Sequence, residues 1–281
     1  MQSEVIYTVI ATAVLVANDL IFRKETRGAS DTVRFYILTT FASGLVAIAL
    51  KLATQADTIS RQDLLFGVIS GVISFAAYLC MLTGMRQSGN PLVGIVIFRL
   101  NLVPAYLFGV AFTGEVLSLK RLLGVAACTA ALFFFTMLDR KSMVHIGGKA
   151  LILCVGSCLL AALLNLLNKL AMSAGCSAVN MAAIRFMVAM PLSLILLFWA
   201  KPKIPPRREA LRALASGALL VLAIILVSYA LKTGEIGFVI PITQLSFVLT
   251  AIISVIVCGE KLLPRQILGI VCAAASILLI V

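Results

Sequence analysis

The sequence predicts an all-α membrane protein, with ten transmembrane helices arranged as two inverted five-helix repeats. Three observations lead there. The 281 residues are 62% hydrophobic and 12% charged, with a mean hydropathy of +1.13, too little charge to cover a soluble domain. The apolar residues fall in blocks of roughly 18 to 24, the length a helix needs to cross ~30 Å of hydrocarbon. A set of short motifs occurs twice in the same order. Barrel strands are excluded, because they are about ten residues long and alternate in polarity. Helices remain, since each satisfies its own backbone polar groups in lipid.

The expected spans are 4–22, 32–52, 64–85, 90–113, 117–138, 149–169, 178–200, 209–231, 236–258 and 262–281. The first block has no basic region before it and no small-residue cleavage site, so it is expected to be a membrane helix and not a cleaved signal. The third carries Gly67 and Gly71, and the tenth Gly269 and Ala273; small residues four apart let helices approach closely in a bilayer. Asn90-Pro91 reads as an N-cap with proline at the first helical position, and Pro264 sits in the first turn of the last helix. Pro104, Pro191 and Pro241 are expected to interrupt the fourth, seventh and ninth helices. The proline-rich stretch from Lys201 to Arg208 is expected to be an aqueous connection.

The repeat is legible residue by residue. Lys24 recurs as Lys169, Arg34-Phe35 as Arg185-Phe186, and Thr83-Gly84 as Thr233-Gly234. Gly114-Glu115 with Leu117, Lys120 and Gly124 recurs as Gly259-Glu260 with Leu262, Arg265 and Gly269. The offsets are 145, 151, 150 and 145, which one small loop insertion and one compensating loss explain. This divides the chain into a first repeat, 1–141, and a second, 142–281. Five helices per unit is an odd number, so the second unit enters the membrane from the opposite side. That arrangement suits alternating access.

The net charge of +12 does not indicate nucleic acid, because the basic residues lie in short loops without interleaved aromatics; contact with the headgroups of the lipid bilayer is expected instead. Of the seven cysteines, Cys80, Cys128, Cys154, Cys158, Cys176, Cys258 and Cys272, no two form a CxxC pair, and they read as packing residues. His145 is the sole histidine and falls in a loop. No metal and no cofactor is therefore expected. HExxH and GxSxG motifs are absent, so the chain is not expected to be an enzyme.

Ionisable and polar groups within apolar blocks mark the candidate site, since such groups are costly in a membrane unless paired or hydrated. Arg99 lies near the middle of the fourth span, with Asn101 beside it; their counterparts at the 145-residue offset are Gln244 and Ser246. A guanidinium there can grip a carboxylate or phosphate through two hydrogen bonds, or form a buried structural pair. Asp19, next to Asn18, is its obvious partner, and it could equally bind a substrate amine or carry a coupling proton. Asn165 and Asn168, three apart, share a face of the sixth helix. Tyr78 and Tyr229 occupy similar places in the third and eighth, suiting either a cavity wall or the membrane interface. The candidate substrate-binding set is therefore Arg99, Asp19, Asn18, Asn101, Asn165, Asn168, Tyr78, Tyr229 and Gln244. Glu115 and Glu260 are expected to anchor the connections before the fifth and tenth helices. Arg34 and Arg185 are expected to snorkel or hold loops.

The paired motifs (Lys24 and Lys169, Arg34-Phe35 and Arg185-Phe186, Glu115 and Glu260, Gly124 and Gly269) resemble those of the drug/metabolite transporter superfamily, in particular its ten-helix EamA-type members. A departure is Ala17-Asn18-Asp19 in the first helix, where a Trp-Gly pair is common in that family. The resemblance implies a central cavity lined mainly by helices 1, 3, 4, 6, 8 and 9. It implies a secondary transporter of a small polar organic metabolite, such as an amino acid or another carboxylate, moved by alternating access. Its partners would be the small-molecule substrate, the lipid bilayer and a coupling proton or exchange solute, with the chain a monomer or homodimer and no nucleic acid involved. The expected location is the bacterial cytoplasmic (inner) membrane, as a multi-pass protein. The alternatives are a translocator of a lipid-linked group and a non-transporting membrane subunit. Orientation stays open: basic residues crowd the side opposite the termini, which places the termini outside the cytoplasm, whereas the resemblance implies the reverse.

Overall fold

The computed structural model describes residues 2–25, 29–54, 58–88, 91–136, 147–200, 205–258 and 264–280. These form helices α1 Gln2–Glu25, α2 Ala29–Thr54, α3 Arg61–Ser88, α4 Pro91–Arg99, α5 Leu102–Thr113, α6 Leu119–Thr136, α7 Gly148–Ser173, α8 Ala178–Ala200, α9 Arg207–Thr233, α10 Ile236–Gln244, α11 Ser246–Cys258 and α12 Pro264–Ile280. The described residues contain no strand. Eight spans among them are long and apolar enough to cross a membrane, and Ile267–Ile280 is a shorter apolar helix. Asn90, His145, Lys201, Lys203, Gly259 and Glu260 lie outside the described residues, as does the side chain of Lys24.

Two expected helices are broken. Between α4 and α5, Pro104 has no N–H for the carbonyl of Leu100 and its ring crowds that oxygen. The backbone tightens accordingly: Leu100, Asn101 and Val103 donate three residues back, to Ile97 (3.1 Å), Phe98 (3.2 Å) and Leu100 (3.0 Å). Between α10 and α11 the break falls at Leu245, four residues after Pro241, where one N–H is shared between the Pro241 (3.3 Å) and Ile242 (3.1 Å) carbonyls. The third expected interruption does not occur. Pro191 lies inside a continuous α8, whose neighbouring turns are held against α2 and α3.

The most extensive helix contacts join the two halves: α1 with α9, α3 with α7, α2 with α8 and α9, α3 with α8, and α6 with α12. Small residues permit them. A Cβ on Gly71 would lie 2.8 Å from the Arg185 carbonyl oxygen and 2.8 Å from Val188 Cβ, and one on Gly217 would lie 2.7 Å from the Ser43 nitrogen. So α3 meets α8 nearly backbone to backbone, as α9 meets α2.

Polar clasps hold the ends. Ser60 and Asp63 cap α3 reciprocally, at 3.0 and 2.9 Å. Asp63 also accepts from the Ser177 N–H at 2.9 Å and from Asn180 at 3.2 Å, and Lys51 donates to Asn180 at 2.6 Å. Glu115, expected to anchor the connection before the next helix, anchors it to the other half. Its carboxylate accepts from the N–H groups of Ile236 (2.5 Å) and Gly237 (2.9 Å), capping the N-terminus of α10 in the other half. Gly114, with φ +73°, supplies the left-handed turn that brings Glu115 back toward α10. Lys169 donates to the carbonyls of Leu231 (2.9 Å) and Gly234 (2.8 Å), where the α9 dipole favours a cation.

Candidate functional site: a cavity between the halves

The two helix breaks place Arg99 and Asn101 opposite Gln244 and Ser246. Arg99 Nη2 donates to Asp19 Oδ2 at 2.7 Å, with both side chains 16% exposed. Its Nη1 donates to Gln244 Oε1 and Ser246 Oγ, each at 3.3 Å, and Ser246 donates onward to Asp19 at 3.0 Å. The guanidinium carbon lies 5.1 Å from the centre of the Phe247 ring, a cation–π contact. Asn101 Nδ2 donates to the Phe98 carbonyl at 2.7 Å. Its Oδ1 accepts from Asn165 (3.1 Å) and Gln244 (3.3 Å). One continuous network thus ties α1, the α4–α5 break, α7 and the α10–α11 break together.

Beside it lies a cavity of about 150 Å³ lined by Leu15, Tyr78, Phe98, Asn101, Ala161, Leu164, Asn165, Asn168, Arg185, Ala223, Ile224, Val227, Ile240, Thr243 and Gln244. Its wall comes from both halves. Tyr78 belongs to an aromatic row, 4.8 Å from Tyr36 and 5.5 Å from Phe98 between ring centres.

Several candidate residues fall where the sequence placed them and others do not. Tyr78, Asn101, Asn165, Asn168 and Gln244 line the cavity. Arg99 and Asp19 are not part of the lining and are bonded to each other. Asn18 turns away from the cavity to α9, accepting from Ser216 at 2.6 Å. Tyr229 lies outside it, 37% exposed and stacked on Tyr7 at 5.6 Å.

A family model of the EamA-like transporter family matches residues 3–137 and again 148–281. The chain belongs to the EamA-like transporter family. It is accordingly a multi-pass integral membrane protein, in a family of membrane transporters. One of the 28 matching solved chains, described only as a crystal structure of protein, superposes with a TM-score of 0.83 at 13% identity, over 99% of this chain and 96% of its own. That likeness shows the fold. No curated protein matches by sequence.

The charged cavity-lining residue that the sequence left out of the candidate set in this EamA-like transporter is Arg185, expected to snorkel or hold a loop. It is 9% exposed and, among the described residues, is the one charged side chain lining the cavity. It comes from α8, which is the seventh expected span and was not in the expected lining. A signal was available: Arg185 stands seven residues inside α8, roughly 10 Å from its start, deep for a side chain that must reach water.

Proposed function

We propose that this EamA-like transporter is a secondary carrier with ten membrane crossings, built from inverted repeats 1–141 and 142–281. It moves a small polar organic solute, such as an amino acid or another carboxylate, through the cavity by alternating access. The observation that carries this reading is the cavity between the halves, where Arg185 and the amides of Asn101, Asn165, Asn168 and Gln244 stand in an otherwise largely apolar wall, flanked by the two helix breaks. The exchange of contacts between halves supports a two-fold relation of the repeats: α1 packs on α9 as α7 packs on α3, and α2 on α9 as α8 on α3; the odd number of proposed crossings per repeat makes it an inverted one. A coupling proton or an exchanged solute supplies the energy.

In this carrier Tyr78, Asn101, Asn165, Asn168 and Gln244 contact the solute. The Arg99–Asp19 pair spans both breaks and fixes the Asn101 and Gln244 amides. Loss of one charge leaves the other buried and unpaired, at a cost of about 3–5 kcal/mol. Uptake of labelled small amino acids and carboxylates into proteoliposomes tests the function. Saturable uptake above protein-free vesicles is expected. Failure under every imposed proton, sodium and counter-solute gradient would remove the carrier reading. Arg99→Ala should cut uptake at least about tenfold; Arg99→Gln with Asp19→Asn, which leaves no lone charge, should fold and still transport poorly. Full uptake by the double variant would reduce the pair to a packing role.

A further inference from the structure

We infer that Arg185 receives the negatively charged group of the solute, and that this group is a single carboxylate. The inference rests on the carrier reading for its biological meaning, but its geometry stands apart from it. Arg99, the first guanidinium the sequence offers, is already neutralised by Asp19 at 2.7 Å. Arg34, the repeat counterpart of Arg185, is also matched: its Nε and Nη2 each donate at 2.7 Å to the two oxygens of Glu209, a bidentate fork.

Arg185 has no such match among the described residues. Its Nη2 donates to Ser74 at 3.1 Å, and its Nε is buried with no hydrogen-bond partner. The acid at the start of α3 is Asp63, the third residue of its helix as Glu209 is of α9. It is taken up by Ser60, Ser177 and Asn180, and lies eleven residues along α3 from Ser74, roughly 16 Å away. A guanidinium this deep cannot shed its charge, and an unpaired buried charge is strongly unfavourable. The missing counter-charge arrives with the ligand.

The neighbours define the chemistry. Asn168 lines the same cavity, and its amide bonds to no other described residue; the Tyr78 hydroxyl is likewise unengaged. Tyr78 lies within electrostatic reach of both Arg185 and the Arg99–Asp19 pair. A guanidinium with an open edge, an amide and a phenol around about 150 Å³ suit a planar carboxylate on a small body. One unpaired cation balances one negative charge, which disfavours a dianionic phosphate.

The test is thermal unfolding of the purified full chain in detergent against two- to six-carbon carboxylates, their uncharged amides, and inorganic phosphate. At least one carboxylate should raise the unfolding temperature of the wild type while its amide does not. Arg185→Gln should lose the carboxylate-dependent shift, and Arg185→Lys, which keeps charge without the fork, should bind about tenfold more weakly. Should Arg185→Gln fail to fold, wild-type affinity in Arg185→Lys overturns the assignment by itself. So does a shift preserved in Arg185→Gln, a shift with phosphate alone, or no carboxylate shift at all. The same compounds in proteoliposomes separate the two readings. Carboxylate binding without uptake removes the carrier and keeps the anion site, whereas uptake unchanged in Arg185→Gln removes the anion site and keeps the carrier.

Discussion

At the residue scale, identical side chains take opposite roles according to what surrounds them. Arg34 and Arg185 occupy equivalent places in the two repeats, yet one is held by Glu209 and the other faces the cavity. Glu115 gives a direct prediction. Its carboxylate satisfies two buried N–H groups at the start of α10, so Glu115→Ala should lower stability by about 1–3 kcal/mol for each N–H left bare, read as a lower unfolding temperature in detergent. Ser216→Ala strips Asn18 of its hydrogen bond. It should cost about 1 kcal/mol and leave uptake intact, because Asn18 is turned away from the cavity; a large transport defect with normal stability would place Asn18 in the solute path after all.

At the element scale, two features set the site: breaks and close approaches. The α4–α5 and α10–α11 breaks expose polar side chains at mid-span, and the proline before the second removes the Gly237 carbonyl's usual donor. Pro241→Ala restores it. The variant is expected to be at least as stable as the wild type and slower in transport, which initial uptake rates check; an unchanged rate would show that bending at α10 plays no part. Close approach is tested at Gly71. Any side chain there meets the Arg185 carbonyl, and Gly71→Val should cost about 1–3 kcal/mol as overpacking while displacing Arg185 from Ser74. Gly156, which has nothing within 4 Å of an added Cβ, provides the control: Gly156→Ala should be neutral or slightly stabilising.

At the scale of the whole molecule, the halves interlock, so the cavity belongs to neither. The ten crossings we propose put both termini on one side. Reporters fused to the N- and C-terminus should be reached by impermeant reagents from the same face, and one placed between α6 and α7 from the other; termini on opposite faces would exclude ten crossings. The interlocking also predicts that the two halves expressed as separate chains reassemble, since most helix contacts run between them.

The hydrophobic blocks, their lengths and the doubled motifs are local properties of the chain, and they determined the helical membrane class and the two-unit organisation without coordinates. Polarity within an apolar block likewise picked out Arg99, Asp19, Asn101, Asn165, Asn168 and Gln244, because burying such groups is costly wherever they end up. Partnership is a different kind of fact. Whether Arg99 is neutralised, whether Tyr229 faces the exterior, which helix Glu115 caps and whether Pro191 breaks α8 depend on residues 80 or more positions away or on packing across the halves. Only the tertiary structure, which brings Asp19 to Arg99 and leaves Arg185 with one hydroxyl and a cavity, decided which charge is already balanced and which one is not.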